Sequence, residues 1–346
     1  MVPPRRSQPR SARWVSLPDE ELLDWRFCEL GLEIEGSELE PRLEQLDAEL
    51  ERRGLRFRPY TWLSTDWFTP DPATGFAIPF YLAHPRLVRL ERRQMLQVEG
   101  GSRDECLKIL RHETAHAIDN AYRLRRRRRW REVFGRAGAP YHSSYCPDPT
   151  SRDHVLNLDY WYSQSHPLED WAETFAVWLR PGQRWRTRYE GWPAMAKLQY
   201  VDELMGEIAD RPPLARTRRR EDPLPSVRTT LRTYYRRKRA VYTDEANPAF
   251  DGQLARVFPP ADGAPGRPAA AAFLRRRRAQ LVQRVAHATG QHRYLLDHVV
   301  REMVARCQSH RLRVANGPNE AMTDAAVLLT SLSMQFLHGA HPRYQR

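Results

Sequence analysis

Residues His112-Glu113-Thr114-Ala115-His116 form an HExxH pattern. Four positions apart, two histidines project from one face of a helix, about a turn from each other. Their ring nitrogens can then reach a single Zn²⁺ at about 2.0–2.1 Å. Glu113 falls beside that metal, where a carboxylate can take a proton from water. The surrounding residues are compatible with a helix over roughly 103–128. No Pro or Gly interrupts that span, Cys106, Leu107, Leu110, Ala117 and Ile118 supply an apolar flank, and Gly100-Gly101-Ser102 offers a start signal.

A catalytic zinc needs a third protein ligand and an open position. Three sources fail. The metzincin extension would require a histidine at 122 and a glycine at 119, where the chain has Tyr122 and Asp119. The inverted H-x-x-E-H order is absent, and so is the second E-x-x-H that a carboxylate-bridged di-iron site needs. What remains is a glutamate from a second helix. The stretch His166-Pro167-Leu168-Glu169-Asp170-Trp171-Ala172-Glu173 starts such a helix, with Pro167 suited to its first turn and Pro181-Gly182 at its end. Glu169 and Glu173 share one face. Two carboxylates turned toward a core are costly without a partner, and a metal with two imidazoles is such a partner. Glu169 is therefore expected as the third ligand. Glu173 is expected to accept a hydrogen bond from a ligand imidazole. The competing reading is an exposed acidic stripe. Asp119, three residues after His116, is expected either to orient an imidazole or to engage a nearby arginine.

These helices need a frame. Residues 38–53 alternate charge, with Leu43, Leu46 and Leu50 at helical spacing and Gly54 as a stop. Aromatics crowd residues 55–95 between turn formers, which predicts a small sheet, and Leu87-Val88-Arg89-Leu90 has strand character. A polar stretch, 135–165, contains His142 and His154 and is a candidate substrate-binding segment, as is the strand expected near 86–90. Residues 183–210 are expected to be helical, 227–258 begin with a basic helix, and PPADGAPGRP is the clearest linker. Beyond it, 271–288, 291–310 and 319–338 predict three amphipathic helices. The expected organisation is a disordered basic N-terminus (1–13), a catalytic domain (14–258), a linker (259–270) and a helical C-terminal region (271–346). The fold class expected is α+β.

The chain of 346 residues carries a net charge of +13, nearly all from arginine, since only Lys108, Lys197 and Lys238 are lysines. Runs such as Arg125–Arg129, Arg218–Arg220, Arg236–Arg239 and Arg275–Arg278, with Tyr234, Tyr235 and Tyr242 interleaved, raise nucleic-acid or protein binding as the alternative function, with zinc structural or non-catalytic. Lys238 lies inside the third run. The arginine bias throughout the chain favours solvated helix faces instead. Cys28, Cys106, Cys146 and Cys307 form no CxxC pair, so reduced, mostly buried thiols are expected. Without an apolar leader or a membrane-length apolar run, the expected location is the cytoplasm.

HETAHAIDNAY together with YSQSHPLEDWAETFAVWL resembles the bacterial putative zinc-binding metallopeptidase family. FYLAHPRLVRLERRQMLQVEGG, LRFRPYTWLSTDWF and LRTYYRRKRAVY are similar to it as well. The resemblance implies a zincin-like fold of gluzincin type and a peptide or protein substrate. The E-x-x-A-E form also resembles the third-ligand helix of the anthrax lethal factor peptidase domain, which implies Glu169 as ligand and Glu173 as its support. A tyrosine seven residues before the ligand glutamate acts there near the oxyanion or leaving group, which implies Tyr162. From the residues of this chain alone, Tyr160, His154 and His166 are further candidates for that donor. Some relatives carry an N-terminal cysteine zinc ribbon. This chain lacks one, so a second, structural zinc is not expected.

Overall fold

The computed structural model describes residues 10–142, 145, 147–242, 250–260 and 267–339. The described residues open with a 3-10 turn, Arg10–Ser16, in which Trp14 is buried and donates its indole N–H to Leu30 O at 2.9 Å. Most of the N-terminal tail expected to be disordered (1–9), the middle of the expected linker (261–266) and Cys146 lie outside the described residues. Cys28, Cys106 and Cys307 are free thiols. Among the described residues no helix is long and apolar enough to cross a membrane.

The chain separates into two compact units, Met1–Arg92 with Val98–Tyr234, and Arg93–Gln97 with Tyr235–Arg346. The first holds α1 (Asp19–Leu22), α2 (Glu40–Arg52), β1 (Tyr60–Ser64) and β2 (Gly75–Pro79). It continues with α3 (Pro85–Met95, whose last turn passes into the second unit), α4 (Arg103–Tyr122), α5 (Arg128–Phe134) and α6 (Pro167–Leu179). Then come α7 (Trp185–Arg188), α8 (Ala194–Ile208) and the start of α9 (Leu231–Ala240). The result is α+β and mostly helical.

The sheet is only two parallel strands, with Tyr60 opposite Gly75 and Ser64 opposite Pro79. A Cβ on Gly75 would lie 2.0 Å from Tyr60 O, so only glycine lets the strands pair there. The connection between the strands folds back on β2 through a bridge between Phe68 and Ala77. The segment around Leu87–Leu90 is helical, not a strand. Pro85 opens α3, His84 Nδ1 accepts Arg86 N–H at 3.1 Å, and Leu87 and Leu90, three apart, are both fully buried. An apolar pair at that spacing fits one helix face, and the histidine cap decides in its favour.

Helix α4 starts at Ser102, whose hydroxyl accepts Glu105 N–H at 3.2 Å, with Asp104 and Glu105 suited to the positive end of the helix. It ends earlier than the 128 expected. Arg123 takes a left-handed conformation (φ 54°), and Asp119 Oδ1 accepts Arg125 N–H at 2.7 Å, so the chain turns before the arginine run continues. Helix α6 packs on α4 with every residue from Glu169 to Leu179 buried. Trp171 donates its indole N–H to Ala115 O at 3.0 Å and so joins the two helices directly.

The second unit contains α10 (Asp251–Val257), α11 (Ala270–Thr289), α12 (Arg293–Ser309) and α13 (Pro318–Gly339). The last three match the three C-terminal helices expected. Phe250, Leu254 and Phe258 share a core with Leu274, Leu296 and Leu329, which places α10 with the C-terminal helices and moves the boundary from 258 back to 234. At the start of α12, His292 Nδ1 accepts Tyr294 N–H at 3.0 Å and the ring stacks on Tyr242 with centroids 4.3 Å apart. Burial, aided by Lys238, pulls the pKa of His292 down from 6.5 to about 3. Below 6.5 the unfolded chain takes up a proton that the folded one refuses, so stability is full above 6.5 and falls as pH drops toward 3. The expected slope is up to ~1.4 kcal/mol per pH unit. Urea unfolding at several pH values checks it: His292→Asn keeps a capping oxygen and should flatten the slope, and an unchanged slope would contradict this origin.

Candidate metal centre

The two helices bring three donor atoms to one point. His112 Nε2 lies 3.0 Å from Glu169 Oε2, His116 Nε2 lies 3.3 Å from that same oxygen, and the two Nε2 atoms are 3.2 Å apart. They form the one group among the described residues suited to holding a metal ion. Tetrahedral ligands at about 2.0–2.1 Å from a metal stand roughly 3.3–3.4 Å from one another, so these separations are close to the edge lengths required.

The electrostatics point the same way. Glu173 Oε1 accepts the His112 Nδ1 proton at 2.8 Å, which turns the Nε2 lone pair toward His116 and the Glu169 carboxylate. Two nitrogens and an anionic oxygen so close together need a cation among them. With protons alone available, burial pulls His112 down, but hydrogen bonds and charge from Glu169 and Glu173 outweigh it and hold the imidazole well above its usual range. Glu169 is the mirror case. Burial raises it, and the charges and hydrogen bonds of His116 and His112 win and hold it well below the usual carboxylate range. The donor set fits a divalent metal, which would take the place of those protons.

Glu173 is locked further: Asn157 Nδ2 donates to the same Oε1 at 2.8 Å, and Leu158 N donates to Oε2 at 2.7 Å. Both expected glutamates therefore face the histidines, and neither is part of an exposed stripe: Glu169 is 5% and Glu173 1% exposed. Asp170, between them, turns instead to Lys197 Nζ at 2.7 Å. Glu113 is buried and accepts the Thr69 hydroxyl at 2.7 Å on Oε2. Thr69 sits in the loop between β1 and β2, and Asn120 holds that loop by donating to Ala73 O at 2.8 Å and Pro70 O at 3.3 Å.

Other expectations fare differently. Asp119 takes the arginine: its Oδ2 lies 2.6 Å from Arg125 Nε, and it makes no hydrogen bond to either imidazole among the described residues. Its help to the site is to end α4, not to orient a ligand. Tyr162 is half-buried in the 3-10 turn Asp159–Gln164, its ring 5.7 Å from that of His112. Its neighbour Trp161 has a left-handed backbone (φ 53°), an uncommon conformation for a bulky residue and one that gathers at functional sites. The Tyr160 side chain lies outside what is described. His166 is occupied as the cap of α6, accepting Leu168 N–H at 3.1 Å, and His154 lies 3.8 Å from Asp170, its pKa drawn down to about 4 by burial and Lys197. His142 is exposed.

The residues that sequence reasoning missed are Thr69, Asn157 and Tyr141. Tyr141 donates its hydroxyl to Glu169 Oε1 at 3.0 Å. Its only signal was membership of the polar stretch between the two helices. The arginine run beside the site is largely neutralised within the chain. Arg125 pairs with Asp119, Arg127 with Glu207, Arg128 with Glu132 and Arg129 with Glu203.

Compared with known proteins, the chain matches no family model, and neither curated proteins nor solved structures give a match.

Proposed function

We propose that this chain is a zinc-dependent peptidase of zincin-like, gluzincin-type organisation. The observation that carries the proposal is the meeting of His112, His116 and Glu169 at tetrahedral spacing beside a buried Glu113 that is not a donor to the cluster. A His₂Glu donor set is that of hydrolytic zinc, and a purely structural site would more often be closed by a fourth protein ligand. Zinc bound there supplies Lewis acidity, polarising a carbonyl and bringing the pKa of water toward about 7.

The chain's own residues do the rest. Glu113 takes the proton of the attacking water and delivers it to the departing amine nitrogen. Thr69 occupies Oε2 of Glu113 and so holds the carboxylate in one orientation. Glu173 fixes the His112 tautomer and ring plane. Tyr162, flanking His112, is the proposed donor to the oxygen that gains charge. The proposed substrate is a peptide or protein segment.

Elemental mass analysis of the purified full chain tests the foundation. Wild type should carry one equivalent of zinc, His112→Ala and Glu169→Ala less than about a tenth of that, and wild type should cleave an unbiased peptide library in a chelator-sensitive way. A wild-type chain that stays metal-free after zinc repletion removes the reading.

A further inference from the structure

Glu169 uses its two carboxylate oxygens for different tasks. Oε2 faces both imidazole nitrogens, at 3.0 and 3.3 Å. Oε1 accepts the Tyr141 hydroxyl at 3.0 Å. Tyr141 is 40% exposed, too open for burial alone to fix its ring. The fixing comes from His166. The two rings lie face to face, centroids 3.5 Å apart and planes 18° from parallel. His166 is itself held at both nitrogens. Nδ1 accepts Leu168 N–H at 3.1 Å, so Nε2 carries the proton and donates it to Ala139 O at 3.0 Å. One histidine thus caps α6, ties down the backbone two residues before Tyr141, and supplies the surface on which Tyr141 stacks.

We propose that Tyr141 is a positioning residue that holds Glu169 in a one-oxygen mode toward the metal, an inference that rests on the metal-centre reading above. A carboxylate can offer a metal one oxygen or both. Chelation through both would require Oε1 to turn from Tyr141 toward the imidazoles and would use the position that a hydrolytic site must leave open. The phenol blocks that turn with a hydrogen bond to the charged carboxylate, stronger than one between neutral partners. Tyr141 therefore preserves the open position without touching the metal.

Tyr141→Phe keeps the ring and its stack on His166 and removes only the hydroxyl. Zinc affinity of the full chain, measured by competition with a chromophoric chelator, should fall about tenfold or more, as for other groups that orient a ligand. The second readout is the visible spectrum of the cobalt-substituted protein. Wild type should show the intense band of four-coordinate Co²⁺, and Tyr141→Phe a weaker band as Glu169 closes through both oxygens. A structural role alone would leave that spectrum unchanged. If wild type binds metal and Tyr141→Phe matches it in both affinity and spectrum, the Tyr141 proposal is overturned while the metal centre stands. If wild type binds neither zinc nor cobalt, both readings go.

Discussion

Replacing Glu113 by glutamine should leave zinc content and thermal unfolding at wild-type values and lower the peptide-hydrolysis rate by roughly 10²–10⁴-fold. The two side chains have one shape. Glutamine can still present an oxygen to the Thr69 hydroxyl, now 2.7 Å from Glu113 Oε2, so the loop that Thr69 belongs to has no cause to move. Glu113 is not among the three donors that meet at the metal point. What the amide cannot do is take a proton. The loss should therefore fall on kcat, with little change in KM. Single-turnover cleavage of a peptide found by library screening, with zinc measured on the same sample, separates the cases. Wild-type cleavage by Glu113→Gln would remove Glu113 from the chemistry, and loss of zinc along with activity would make it a structural residue.

The largest stability effect expected lies one residue before the first histidine. Arg111 projects from α4 to Glu49 of α2, with Nε–Oε2 at 2.7 Å and Nη2–Oε1 at 2.9 Å, and the two side chains are 3% and 0% exposed. Glu49→Ala strands a guanidinium in the core, where Nη1 already has no hydrogen-bond partner among the described residues. Breaking a buried pair from one side costs about 3–5 kcal/mol. In a unit of this size that corresponds to a melting temperature lower by roughly 10 °C, at ~2–4 °C per kcal/mol. The joint change Glu49→Leu with Arg111→Met removes both charges and should recover most of the loss. Scanning calorimetry decides. A single variant within about 2 °C of wild type, or a double variant no better than the single, would mean that the pair is solvated more than its burial implies.

The parts of the site that sequence made legible are those set by helix periodicity. His112 and His116 share a face because they are four apart, and so do Glu169 and Glu173. The acidic pair was also legible as a pair needing a partner, since Phe175, Trp178 and Leu179 marked that helix as buried. Thr69 was not legible. It reaches Glu113 from 44 positions away, through a loop whose path depends on Gly75 and on Asn120 rather than on any local pattern. Tyr141 reaches Glu169 across 28 positions and through a stacking contact that no spacing rule describes. Where periodicity was short, the sequence misled. Leu87-Val88-Arg89-Leu90 fits a strand or a helix equally, and α4 was extended through the arginines because no glycine marked its end. Arg123 adopts the left-handed turn that a glycine would normally provide, held by Asp119 and the burial of Leu124.

The cluster is divided between two stretches of chain, and this bears on how the protein is made. His112 and Glu169 are 57 positions apart, and His112 and Glu173 are 61 apart. Closing a loop of that length costs conformational entropy that only the docking of α6 on α4 can offset. During translation, HETAH emerges from the ribosome well before the glutamate helix exists. Its two histidines can at that stage offer a metal no more than a loose, two-point grip. On the metal-centre reading, firm loading would wait until the chain has grown past Glu173 and Trp171 has reached Ala115. A nascent chain interrupted between residues 123 and 166 would carry the whole recognisable motif and none of the third donor.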